Sequence, residues 1–260
     1  MSLARTAAEG GSSLPPGGSA SGSGSGSGPG QEPGLPVRRP LRHELLILIG
    51  IALVITLLVR GFVLQAFYIP SGSMEQTLHV GDRVLVSKLS YHLGDIQRGD
   101  VIVFDGTDSF APEVAPATGT LSKLARSVGA FLGMAPSEHD FVKRVIGLPG
   151  DHVVCCDSKG RLTVNGVGVD EPYLYPGERA SSVPFSIVVP AGRLWVMGDH
   201  RDDSADSRAH LGDPGGGTVP EKRVIGKVIT VYWPLGRIGS PASAPELAKV
   251  PAAAGVGGAK

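Results

Sequence analysis

A chain of 260 residues holds enough material for a buried core and one or two modest domains. Its 24 Lys+Arg balance 24 Asp+Glu and form no basic stripe, which argues against a nucleic-acid binder. The two cysteines, Cys155 and Cys156, are adjacent. That excludes a disulfide-stapled scaffold and a metal-binding Cys spacing, and the expectation is two reduced, half-buried thiols rather than a vicinal disulfide.

Residues 1–37 are rich in Gly, Ser and Pro, with an alternating Ser-Gly run from Ser21 to Gly28. Such a segment buries too little apolar surface to offset its ordering entropy, so it reads as a disordered tail. Next come Arg38, Arg39 and Arg42, then Leu45 to Val59 without a charge. Extended on both sides to about 41–64, this stretch reads as a transmembrane anchor. A buried core helix is the other reading. A cleavable signal peptide is disfavoured because no small-x-small pattern follows the apolar run. The arginines precede the anchor, so residues 1–37 would be cytoplasmic and everything after it extracytoplasmic.

Residues 65–240 read as mainly β. Arg83–Leu89 and Val101–Phe104 are rich in branched residues and follow Gly-Asp dipeptides at 81–82 and 99–100. Leu162–Val164 and Val167–Val169 flank Asn165-Gly166, a hairpin turn signal, inside a small β subdomain at about 152–195. Phe185–Val189, Leu194–Met197 and Val224–Trp233 add strands, and no βαβ alternation occurs. An insertion at about 107–139 carries Leu121, Leu124, Val128, Phe131 and Leu132 at helical spacing. Residues 241–260 read as a flexible tail.

Candidate chemistry begins at Pro70-Ser71-Gly72-Ser73-Met74, just beyond the anchor. A glycine between two serines permits a sharp turn that exposes a hydroxyl, but a serine needs a base. His200, beside Asp199 and Asp202, is one candidate. Lys143 is another. By strand alternation Phe141, Lys143 and Val145 share one face, so Lys143 is expected inside while Arg144 escapes to solvent. Burial would lower the lysine pKa, although the segment alone favours a solvated edge-strand lysine. The acidic run 199–206 lacks the glycine and terminal glutamate of a calcium loop, so no metal site is expected.

These segments together resemble the motif set of type I signal peptidases, in the Gram-positive-like form with a single N-terminal anchor. Pro70–Met74 with Thr77-Leu78 is similar to the nucleophile motif. Gly81–Val86 with Gly99–Phe104 resembles the next strand block. Lys143-Arg144 with Gly147–Asp151 is similar to the base motif, and Gly198–Arg208 to the last one. The resemblance spans about Leu45 to Leu235.

It implies the signal-peptidase and repressor-type β-fold and a Ser-Lys serine endopeptidase that removes signal peptides. Ser73 would be nucleophile and Lys143 base. Ser71 would join the Ser73 amide in the oxyanion hole, and Ser204 would orient the lysine. Asp206 and Arg208 would form a supporting pair with Arg144 as a further partner. No role is implied for Asp199 beyond the motif match. No cofactor is implied. The implied partners are the lipid bilayer and secretory preproteins with small residues at the first and third positions before the cut. Glu75-Gln76, His200, Asp203 and His210-Leu211-Gly212 depart from the family pattern. A soluble repressor-type self-cleaving protease fits the anchor poorly; an anchored binding or scaffold domain without chemistry remains the rival from another class.

Overall fold

The computed structural model describes residues 41–59, 63–107, 109–110 and 139–253. The N-terminal tail, the insertion helix at 121–132 and residues 254–260 lie outside the described residues. The chain separates by its contacts into two units, 1–45 and 46–260, and all the strands fall in the second.

Helix α1 runs from Leu41 to Leu58. At 1.5 Å per residue it is about 27 Å long. Its apolar side chains from Leu46 to Ile55 are half or more exposed. Among the described residues no helix is long and apolar enough to cross a membrane. Leu64, which the anchor reading included, instead opens strand β1 (Leu64–Tyr68).

The remaining strands are β2 (Arg83–Ser87), β3 (Val101–Asp105), β4 (Asp140–Gly147), β5 (His152–Cys155) and β6 (Leu162–Val164). They continue with β7 (Val167–Gly168), β8 (Phe185–Val188), β9 (Arg193–Met197), β10 (Val219–Pro220) and β11 (Val224–Trp233). A seven-stranded sheet has the order β1-β2-β11-β3-β4-β9-β10, and a four-stranded sheet the order β7-β6-β5-β8. The recorded pairings are all antiparallel. The fold is mainly β. The Asn165-Gly166 turn joins β6 to β7 with both residues at positive φ, as that hairpin chemistry requires.

Strand β4 is central. It pairs with β3 through Lys143↔Ile102 and Arg144↔Val101, and with β9 through Arg144↔Met197. Its neighbours fill separate parts of the core. Phe141 and Val145 pack with Ile102, Phe104, Phe110 and Val196. Ile146 packs with Trp195, Met197, Val153 and Leu162, which joins the two sheets. Phe67, Ile69, Met74, Val84 and Val228 form a third cluster, beneath the segment that carries Ser73.

Two expectations need correction here. Residues 241–253 are not a flexible tail: a short helix α2 at Ser90–Leu93 is followed far along the chain by α3 at Pro245–Ala248, and α3 drives Leu247 into the core with no exposure. Val250 is also buried, and the Val250 and Pro251 carbonyls accept hydrogen bonds from Arg98 and Asn165. A composition rich in Ala, Pro and Ser hid these anchor points. The cysteines are likewise not free thiols; Cys155 and Cys156 are bonded to each other at the end of β5. Nothing in an adjacent pair distinguishes the two states at the level of sequence.

Candidate active site

Ser73 sits in the turn that follows β1. Ile69 is tied to Asp82 by backbone hydrogen bonding, and the Glu75, Thr77 and Leu78 amides fold back onto the Gly72 and Met74 carbonyls. Met74 and Leu78 are fully buried, so they pin the turn from below. Gly72 is not in the left-handed region. Its need is space, since a Cβ there would come within 2.8 Å of the Asp203 carboxylate.

Across from this turn β4 delivers Lys143. Its Nζ lies 2.6 Å from Ser73 Oγ, with the amine drawn as donor. Both are buried, Lys143 at 4% and Ser73 at 7% exposure. Burial pushes the amine down from its usual value to about 8, against the attraction of Asp206, Asp199 and Asp203; Arg208 pushes the same way as burial. Exposed Ser71 shares with Ser73 and Lys143 a cavity of about 330 Å³, whose other walls include Phe67, Ile69, Met74 and Val142. An apolar trough beside a hydroxyl and a half-neutralised amine at pH 8 is equipped for acyl transfer.

Arg144 does not escape. It is fully buried, on the face of β4 opposite Lys143. Its guanidinium grips both oxygens of Asp199 at 2.8 and 2.6 Å, donates to the Gly99 and Ala242 carbonyls and stacks 4.1 Å over Tyr173. The alternation was sound, but the expectation treated one face as solvated, whereas the C-terminal segment covers it. Thr77 Oγ donates to Asp199 as well. Arg144 thus partners Asp199 rather than the Asp206–Arg208 pair, and it gives Asp199 the role that the motif alone did not.

Asp206 and Arg208 form a two-pronged ion pair at 2.8 Å for each prong. Burial works against the Asp206 carboxylate, but Arg208, the Gly198 amide and Ser204 hold its pKa below the usual range. Ser204 Oγ is buried without a partner at full hydrogen-bond geometry, although it lies near enough to Asp206 to help keep it ionised. His200 is not placed as a base. Its ring stacks on Tyr175 and faces Glu178 at 3.1 Å, while its backbone amide donates to the Ser73 carbonyl.

Two residues here were not read from the sequence. Gly198 lets the loop lie against the nucleophile: a Cβ there would stand 2.3 Å from Ser204 Oγ and 2.4 Å from the Ser73 carbonyl. Arg201 is buried against Glu171 and donates to the Gly198 carbonyl at 2.8 Å. The glycine in the last motif was the available signal for the first; the Arg201–Glu171 link is long-range and left no local trace. Among the described residues no group of His, Cys, Asp and Glu is arranged to hold a metal.

Comparison with known proteins shows the family of the chain. The model of the signal peptidase family, peptidase S26, matches residues 42–233. The chain belongs to the signal peptidase family. It is 40% identical over 225 residues to the probable signal peptidase I of Mycobacterium leprae, covering 75% of this chain and 78% of that protein. It is 41% identical over 218 residues to signal peptidase I of Mycobacterium tuberculosis, covering 75% and 74%. A solved signal peptidase I from Enterococcus faecalis is 25% identical, covers 52% of this chain and 97% of that one, and superposes with a TM-score of 0.33. As a signal peptidase, the protein is a serine endopeptidase whose substrates are exported preproteins bearing signal peptides.

Proposed function

We propose that this signal peptidase works through Ser73 as nucleophile and Lys143 as general base. The observation that carries the reading is the buried 2.6 Å contact between Nζ and Oγ, with an amine pKa of about 8. At pH 7 such an amine is neutral in about one molecule in ten, and at pH 9 in about nine. Neutral Lys143 takes the proton as Oγ attacks the scissile carbonyl, then returns it to the leaving amine; water releases the acyl group. Ser71 Oγ and the Ser73 amide receive the oxyanion, a contribution of about 3 kcal/mol for each well-placed donor. Ser204 would orient the amine from beside Asp206, although its Oγ makes no hydrogen bond to Nζ here; the Asp206–Arg208 pair supports it, and Arg144 acts through Asp199 to hold the last loop against β4.

The substrate side of the proposal is an extended segment with small residues at the first and third positions before the cut, laid along the cavity between β1 and β4. The apolar walls and limited volume of that cavity support it. No cofactor takes part. We also propose that α1 anchors the chain in lipid as a single pass, with the N-terminus cytoplasmic and the β domain outside. The exposed apolar surface around α1 and the arginines before it support that topology.

Lys143→Arg is the direct test of the base. Arginine keeps a cation in place but does not surrender its proton in proteins. The variant should be inert toward a preprotein with Ala-x-Ala before the cut, and substantial cleavage by it would remove Lys143 from the mechanism.

A further inference from the structure

A second groove, of about 650 Å³, lies on the four-stranded sheet away from the dyad, and both cysteines line it. Cys155 is nearly closed to solvent, whereas Cys156 is exposed. The same groove is lined by Ala180, Ser181 and Ser182, and Cys155 Sγ touches the Ser181 carbonyl at 3.9 Å. That short segment also braces the catalytic loop. The Ala180 carbonyl accepts from Arg201, and Ser181 Oγ accepts from Arg208 at 3.3 Å. Arg201 in turn holds the Gly198 carbonyl, and Arg208 holds Asp206. Of the charges acting on the Lys143 amine, Asp206 weighs most, ahead of Asp199, Asp203 and Arg208. Direct contacts therefore run from the paired sulfurs to Asp206, whose charge acts on the Lys143 amine.

We propose that the Cys155–Cys156 bond is a thiol–disulfide exchange site, open to small thiols through this groove, and that its reduction slows the peptidase. A structural disulfide is normally shut away from attack, but here one sulfur faces an open groove. A thiolate attacks Cys156 Sγ, and Cys155 leaves as a thiolate that takes up a proton. A second thiolate attacks the outer sulfur of the mixed disulfide, giving the small-molecule disulfide and freeing Cys156, which is protonated. Two electrons pass from two thiols to the protein. Once the bond is gone the sulfurs must part to van der Waals separation, and Cys155 gains an S–H beside the Ser181 carbonyl. The separation of the sulfurs displaces Ala180–Ser182, with the Ser181 carbonyl following the Cys155 S–H, and loosens its grip on Arg201 and Arg208. Such coupling needs only a contiguous packed path, and one is present.

The effect on rate rests on the proposed role of Lys143 as base, whereas the exchange chemistry does not. The experiment takes the full chain in detergent, counts free thiols before and after dithiothreitol, and measures preprotein cleavage in each state and after reoxidation. The expected result is no free thiol at first, both cysteines titrating after reduction, and a reversible fall in rate of about tenfold, the scale on which small displacements near a catalytic group act. Because Arg208 opposes Asp206 at the Lys143 amine, its loosening should move the acid limb of the rate profile to higher pH. Cys156→Ser should match the reduced protein and ignore dithiothreitol. Free thiols in the untreated protein, equal rates in the two states, or a Cys156→Ser variant that still responds would each overturn the proposal. A chain inactive in both states would count against the activity instead, and the thiol count would still decide the exchange chemistry.

Discussion

Lys143 and Arg144 are adjacent basic residues with opposite fates. Lys143 is buried with more water lost than charge gained, so its pKa falls to about 8. Arg144 is buried with a carboxylate that grips it from both nitrogens, and its pKa rises. Asp203 tunes the first from an exposed position, raising the amine's pKa. Asp203→Asn should therefore lower it, and the acid limb of kcat/KM should shift to lower pH, with more activity retained on the acid side. A limb that stays put would show that solvent screens Asp203 from the amine. Gly198 makes a sharper case. Gly198→Ala places a methyl against the Ser73 carbonyl and Ser204 Oγ, and a displacement of that order costs about a hundredfold in rate. Wild-type turnover by a folded Gly198→Ala protein would mean that the loop yields freely.

At the scale of elements, the strand pattern was largely readable. Branched runs bounded by Gly-Asp and the Asn165-Gly166 turn mark β2, β3, β6 and β7, and alternation turned Lys143 inward as β4 does. What alternation does not carry is what covers a sheet. Arg144 was expected in solvent because nothing local announces that Ala242 and α3 lie over it. The short β10 and the placement of Leu64 in β1 escaped for a related reason: each is fixed by a distant partner, β9 and β2 respectively, and not by its own composition. The pairing of Ser73 with Lys143, 2.6 Å apart in the fold, was legible only through the set of motifs in order, because Ser-Gly-Ser and a lysine in a strand are common taken singly. The covering segment gives a prediction. Leu247 has no exposure, so Leu247→Ala should cost about 2–5 kcal/mol, read as a lowered urea midpoint. A change within experimental error would show that α3 is loosely held.

For the whole molecule, lipid is the open partner. If α1 is inserted, the full chain should float with phospholipid vesicles and resist extraction at alkaline pH. Paired Ile51→Arg and Val54→Arg changes should release it, since each charge at mid-bilayer costs about 3 kcal/mol on insertion scales. A native chain that washes off at alkaline pH would sink the anchor while leaving the peptidase chemistry intact.

The family match ends at residue 233, yet the last turn of packing comes later, from Ala242 to Pro251. The match to the family model and the packed structure therefore stop at different places. A chain trimmed to the matched region would leave Arg144 short of a carbonyl, Arg98 and Asn165 without their far partners, and a vacant socket where Leu247 belongs. Any appended handle or fusion is best placed beyond Ala253, because the packed part of this protein extends past the residues that the family model matches.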